Sequence, residues 1–353
     1  MEYTKEGYID VKRLRQRDRA VFKFVIGARG IGKTFGFLKE IIDECRTEGT
    51  KFVFMRRTQT QVDLIKTPEL NPFLALEDEL GPDYCFVMKN VNGNVTGVYQ
   101  GSFDEKTQKY EPSGPALGYV MALSTVANIR GFSASGISVI IYDEFIGESH
   151  EKPIKNEGLA FLNAIETIGR NRELKGKPPV EVICLSNANQ LANPIFVQLK
   201  LVTLCEKALA KGKDEIHIPE RNLSIYMIHD SPVSKEKART ALYELAGDDS
   251  SFTRMSIDND FTEEYFGMVR SRNLKEYRPL CAVGEIVIYK HKSKREWYVT
   301  DHLSGKPERY DGSDTELRRW RNDYYYLKLA YLNRHMFFEN YIFQVLFERY
   351  LKV

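Results

Sequence analysis

Val21-Phe-Lys-Phe-Val-Ile-Gly27-Ala-Arg-Gly-Ile-Gly32-Lys33-Thr34 decides how this chain is read. The apolar run Val21–Ile26 has the character of a buried strand. Gly27, Ala28, Arg29, Gly30, Ile31, Gly32, Lys33 and Thr34 then fill the whole GxxxxGK[ST] pattern. Phe35–Cys45 follows as a helix with Phe37, Leu38, Ile41 and Ile42 on one side. A strand, a glycine-rich turn and a helix N-terminus aim backbone N–H groups and a positive dipole end at one point, which suits a polyphosphate. Lys33 is placed to reach the β- and γ-phosphates and the Thr34 hydroxyl to ligate Mg²⁺. The expected ligands are therefore ATP and Mg²⁺.

Working outward, Lys51–Met55, Ser138–Tyr142, Glu181–Ser186 and Ser224–Ile228 are further strand candidates. Most are continuous apolar runs, as expected of a mostly parallel sheet buried on both faces by helices. This is an α/β pattern. Ser138-Val-Ile-Ile-Tyr-Asp143-Glu144 ends its strand in two acids. Asp143 is expected to hold the Mg²⁺ shell, and Glu144 to orient and deprotonate an attacking water. A binding-only site has no need of the second acid, so the pair points to hydrolysis. Ser186 and Asn187 end another strand and are candidates for sensing the γ-phosphate.

Arginines mark several strand and helix ends. Arg170 and Arg172 follow a helix-like run with Leu159, Leu162, Ile165 and Ile168 on one face. Arg170 is the candidate finger entering a neighbouring subunit's site, with Arg172 as its support. Arg56 and Arg57 end the Lys51 strand, where nucleotide, a neighbour and DNA phosphate are all open as partners. Arg130 lies in a Gly/Ser-rich loop and is a candidate for an intersubunit or channel contact.

At 353 residues the chain is too long for one compact core and suggests two domains. Residues 1–230 read as the P-loop domain, with an antiparallel hairpin insertion near 84–125 carrying Asn-Gly at 92–93. Residues 231–257 read as a helical linker and 258–353 as a smaller α+β domain. The tail from Tyr324 to Leu351 reads as one or two helices with a break near Phe338–Asn340. A net charge of +2 leaves any polyanion to local patches. Five scattered cysteines form neither a CxxC pattern nor a disulfide framework, which favours a reducing, cytosolic compartment. No apolar leader and no membrane-spanning stretch is evident.

Val-Ile-Gly-Ala-Arg-Gly-Ile-Gly-Lys-Thr, the Met-Arg-Arg strand end, Tyr-Asp-Glu-Phe-Ile, Arg-Asn-Arg-Glu and Cys-Leu-Ser-Asn-Ala, in that order, resemble the genome-packaging ATPases of small tailed phages of the phi29 type. The resemblance continues weakly through Met255-Ser-Ile-Asp-Asn and Trp-Tyr-Val-Thr-Asp. It implies an additional strand catalytic glutamate (ASCE) fold and a pentameric ring at a procapsid portal vertex in the infected host's cytoplasm. It also implies ATP-driven threading of double-stranded DNA. Lys33, Thr34, Asp143, Glu144 and Arg170 match the family's functional positions, and Arg130 falls where the family has a basic residue. A lysine that the family carries after the paired arginines is Gln59 here.

The same resemblance implies a C-terminal domain of vestigial ribonuclease-H-like fold acting as a binding module. Two-metal cleavage needs several carboxylates on adjacent strands, whereas Asp258, Asp260, Glu285 and Asp301 read as solvated caps. Basic segments at Lys12–Arg19, His291–Arg295 and Arg318–Arg321 are candidates to contact DNA, a structural packaging RNA or the portal, and the first of them is alternatively a candidate to hold a ring neighbour. Two rival readings stand beside the motor: a nuclease-competent large terminase, and a P-loop assembly or adaptor protein without translocation.

Overall fold

The computed structural model describes residues 1–129, 135–148, 151, 154–229, 231–247, 253, 256–257 and 268–351. The chain forms two compact units, Met1–Gln198 with Ala208–Thr262, and Leu199–Lys207 with Glu263–Val353.

In the first unit the strands are β1 (Phe22–Gly27), β2 (Lys51–Arg56), β3 (Phe86–Asn92), β4 (Val95–Asp104), β5 (Lys109–Ala122), β6 (Ile137–Asp143), β7 (Glu181–Ser186), β8 (Glu215–Ile218) and β9 (Leu223–Ile228). They form one sheet in the order β3-β4-β5-β2-β6-β7-β1-β9-β8. From β5 to β9 in that order, neighbours are parallel. Every strand run read from the sequence is present. Parallel strands buried on both faces need apolar residues at successive positions, and this explains the unbroken runs. One face of the sheet, including Val25, Phe54, Ile141 and Leu185, packs on Phe37, Leu38, Ile41 and Ile42 of helix α2 (Lys33–Glu48). The residues between them face the other way. There Phe24 and Tyr142 meet Phe161, whose ring stacks on Tyr142 at 5.8 Å between centroids.

Strand β7 lies between β1 and β6, so an extra strand separates the strand feeding the P-loop from the strand ending in Asp143. Residues 84–125, read as an inserted hairpin, contain two successive antiparallel hairpins. Their last strand, β5, continues the main sheet by pairing parallel with β2 from Phe52↔Gly118 to Arg56↔Ala122. Its inner half supplies buried Val120, Met121 and Ala122.

The second unit has a five-stranded sheet of β10 (Tyr277–Val283), β11 (Ile286–His291), β12 (Trp297–Thr300), β13 (Glu308–Tyr310) and β14 (Met336–Phe338), in the order β13-β10-β11-β12-β14. β10, β11 and β12 are an antiparallel meander, and each edge strand runs parallel to its neighbour. The expected break in the C-terminal tail is strand β14, which pairs with β12 between the helices Tyr326–Leu332 and Tyr341–Leu351. Three buried apolar residues are too few to show a period of two, so sequence pattern alone leaves this strand looking like the end of a helix.

Candidate active site

The P-loop closes tightly on itself. Gly30 and Gly32 have φ of 78° and 85°, in the left-handed region that side chains rarely adopt. An N-terminal segment runs over the loop, with Ile9 N donating to Ile31 O at 3.1 Å. Lys33 then folds back so that its Nζ donates to Gly27 O at 2.6 Å, Ala28 O at 2.7 Å and Asn187 Oδ1 at 3.2 Å. Burial pushes its pKa down to about 7, Asp143 and Glu144 oppose the shift, and Lys237 and Arg29 add to it. A buried cation served chiefly by carbonyls is poised to receive an anion. The cleft beside it has a volume of about 820 Å³ and is lined by Tyr8, Arg29, Lys33, Thr34, Asp143 and Asn187 among others.

Thr34 is the second residue of α2, and its hydroxyl donates to both carboxylate oxygens of Asp143 at 3.1 Å. Asp143 is buried at the end of β6. Arg56, at the end of neighbouring β2, places Nη2 3.0 Å from Asp143 Oδ2 and pairs Nη1 with Glu144. Glu144 has φ of 55°, a strained conformation for a residue with a side chain. That backbone turns its half-exposed carboxylate out of the strand direction and back over the cleft. Desolvation raises the Glu144 pKa, Arg56 opposes this, and Asp143, Glu151 and Glu148 reinforce it.

The other sequence candidates separate. Asn187 faces Lys33, whereas Ser186 is buried and its Oγ accepts from Ile146 N at 3.3 Å, which fixes the loop after Glu144. Arg56 belongs to the acid pair. Arg57 is 4% exposed and bound to Glu157, so DNA and a neighbouring subunit are both out of its reach. Arg172 donates Nη1 to Ile137 O at the start of β6 and is built into the fold. Arg170 is exposed and caps α5 (Glu157–Gly169). Arg170 and Asn171 both have positive φ, 39° and 54°. Arg130 lies outside the described residues, as do Asp258 and Asp260.

The basic segments are partly engaged within the fold. Arg15 pairs with Glu44 and Glu181, Arg17 with Glu215 at 2.8 Å and Arg13 with Glu2 at 2.9 Å. His291 is buried, and its Nδ1 accepts from Lys294 N at 2.9 Å, shaping the β11–β12 turn. Trp320 is fully buried in the core of the second unit, and Arg321 donates to Tyr350 O at 2.7 Å. Sequence reasoning also missed Glu148, which pairs with Arg29, and Lys237, whose Nζ donates to Arg29 O at 3.0 Å. No local motif marks either residue, because their partners are distant in sequence.

A largely parallel sheet with a P-loop between β1 and α2, and an acid pair ending β6, defines a protein of the P-loop nucleoside triphosphatase fold. Within that class, the chain belongs to the podovirus DNA encapsidation protein (Gp16) family, whose model matches residues 3–297. The DNA packaging protein of Bacillus phage phi29 is 26% identical over 351 residues, covering 95% of this chain and 94% of the relative. That of Bacillus phage B103 is 30% identical over 259 residues, covering 72% and 69%. Among solved structures, the phi29 viral genome packaging motor assembly matches with a TM-score of 0.63 and 21% identity over 98% of both chains. The Phi-28 gp11 DNA packaging motor matches at 0.61 and 16% over 99% of both.

Proposed function

We propose that this chain is the ATP-hydrolysing subunit of a motor that moves double-stranded DNA into a phage procapsid. The observation that carries the reading is the convergence of Lys33, Thr34, Asp143 and Glu144 at one cleft, with Glu144 held by Arg56. The phi29 DNA packaging protein, which it resembles along almost the whole length of both chains, gives the cargo.

Lys33 binds the β- and γ-phosphates, and entry of the anion replaces the carbonyl contacts of its ammonium. The Thr34 hydroxyl and Asp143 carboxylate are hard oxygen donors already brought together, a set that fits Mg²⁺. When bound, that ion would supply charge that neutralises the phosphates. Glu144, once free of Arg56, orients the lytic water and takes its proton; its raised pKa suits a base that must accept a proton. Asn187, on Lys33, is placed to register whether the γ-phosphate is present. An extra strand, β7, between β1 and β6 together with Glu144 supports the ASCE assignment.

Arg170 acts on a neighbour. Arg172, two residues on, is bonded to the first residue of β6, whereas Asp143 is the last. Six strand steps of roughly 3.3 Å put about 20 Å between those ends, so Arg170 does not reach its own phosphates. A finger acting in trans implies a ring, and the family resemblance supports a pentamer at the portal vertex in the host cytoplasm. A structural packaging RNA is the further partner. Among the described residues no helix is long and apolar enough to cross a membrane. We read the C-terminal unit as a binding module of nuclease-like architecture.

The test is steady-state ATP hydrolysis with and without linear double-stranded DNA at low salt. Strong stimulation that disappears in Lys33→Ala supports the motor. A rate indifferent to DNA, even with the portal present, overturns it in favour of an assembly protein. Metal-dependent DNA cleavage that survives Lys33→Ala overturns the binding-module reading of the C-terminal unit.

A further inference from the structure

Arg57 directly follows Arg56, the last residue of β2, but serves a different part of the site. Successive side chains on a strand point to opposite faces. Arg56 turns to Asp143 and Glu144, and Arg57 turns into the interior. There its Nε donates to Glu157 Oε1 at 2.7 Å and its Nη2 to Glu157 Oε2 at 2.9 Å. Both partners are almost wholly buried, at 4% and 2% exposure. Its remaining nitrogen, Nη1, pairs with Glu151, which also accepts from Gln61 Nε2 at 3.0 Å. Gly147 lies against the same guanidinium, and a Cβ there would collide with it. Arg57 thus touches the loop following Glu144 at two points and the first residue of α5 at a third.

Helix α5 is the element that carries the candidate finger. Glu157 is its first residue and Arg170 its cap. Its inner face is fixed to β6 by the stacked rings of Phe161 and Tyr142. At Gly158 it approaches Pro194 and Gln198 so closely that a Cβ would overlap them. A helix of 13 residues packed in this way moves as one rod of about 20 Å. Displacement at Glu157 therefore reaches Arg170. A buried ion pair contributes little net stability compared with apolar packing, so its value here lies in the geometry it imposes.

We infer that the Arg57–Glu157 pair is a positioning element: it ties the loop following the catalytic glutamate to helix α5 and so sets Arg170 for the adjacent subunit's phosphate site. This rests on the proposal that Arg170 acts in trans. Neither Arg57 nor Glu157 lines the cleft beside Lys33. They act through Arg170, and the defect from breaking them appears in the neighbour's site and not in their own.

The experiment mixes variant subunits in rings shown to be mixed and reads DNA-stimulated ATP hydrolysis. Glu157→Gln rings alone are expected to lose turnover by about 10-fold or more, with the KM for ATP changed less than 3-fold, an entropic and orientational loss. Mixed with Glu144→Gln subunits, they are expected to regain activity, because their own sites are intact and the partner supplies a correctly placed Arg170. Arg170→Ala mixed with Glu144→Gln is the control. Recovery in the control without recovery for Glu157→Gln overturns the positioning role alone. Failure of the control overturns the trans finger, and the positioning role with it. Arg57→Met/Glu157→Met removes both charges at similar volume, keeps the fold stable, and is expected to give the same pattern. Wild-type turnover in that double variant overturns the inference.

Discussion

Arg56 bridges Asp143 and Glu144, one guanidinium nitrogen on each carboxylate, across the paired ends of β2 and β6. The acid proposed to face the lytic water is thereby held by Arg56. Arg56→Gln is expected to raise basal ATP hydrolysis without DNA by roughly tenfold or less, because Glu144 is half exposed and the pair is screened. The ratio of DNA-stimulated to basal rate is expected to fall. Parallel loss of both rates in steady-state assays would show that Arg56 supports catalysis instead of restraining it.

Glu144→Gln keeps the size and the hydrogen-bonding ends of the side chain while removing its basicity. Nucleotide affinity is expected to stay within about threefold, and turnover to fall by roughly 10²–10⁴-fold, the range general bases contribute. Fluorescent-nucleotide titration and single-turnover hydrolysis separate the two quantities. A turnover loss below tenfold removes Glu144 from the role of base.

Lys33 gives a pH signature. In the nucleotide-free fold its pKa lies near 7, below the usual lysine value of 10.5, because burial penalises its charge. The unfolded chain therefore holds more protons between those values, and this group makes the fold more stable as pH rises through that window. Lys33→Met removes the penalty. Its stabilisation over the wild type is expected to be largest at pH 6 and to shrink steadily toward pH 10, measured by thermal unfolding without nucleotide. A difference that does not change with pH would place the ammonium in a polar setting.

Much of this arrangement is legible in the sequence, and the boundary of legibility has a physical cause. Lys33, Thr34, Asp143 and Glu144 each follow a continuous apolar strand or sit in a dense local motif, so chain position alone brings them to one sheet edge. The partners that tune them are not local. Arg57 and Glu157 are 100 residues apart, and Arg29 and Glu148 are 119 apart. Glu148 and Glu157 look like ordinary surface charges until the fold pairs them. Charge runs are a mixed case: in Lys12–Arg19 the helix turns Leu14 and Asp18 inward and Arg15 is spent on Glu44 and Glu181, while Lys12, Arg13, Arg17 and Arg19 stay exposed. In Arg318-Arg-Trp-Arg321 the helix Asp314–Asp323 turns Trp320 into the core, where no base can stack on it.

A buried charge cluster holds the sheet beside the P-loop. Lys23 lies within β1 at 2% exposure, 2.9 Å from Glu181 Oε1, and Arg15 binds the other oxygen of the same carboxylate. Desolvation raises the Glu181 pKa, but Arg15 and Lys23 outweigh it and hold it below the usual value of 4.5. Glu181→Ala leaves a buried ammonium with no carboxylate and is expected to cost roughly 3–5 kcal/mol. Because the folded pKa is depressed, the stabilisation from Glu181 is present in full above the ordinary glutamate range and is lost as pH falls through the folded value. Urea unfolding should therefore show a wide gap between wild type and Glu181→Ala at pH 7 and a narrower one below pH 4. Glu111→Ala breaks the exposed pair with Lys89, whose side chains are 45% and 54% accessible, and should change stability by about 1 kcal/mol or less. Equal losses in the two variants would mean that Lys23 finds water on mutation and that the strand is less tightly buried than its packing indicates.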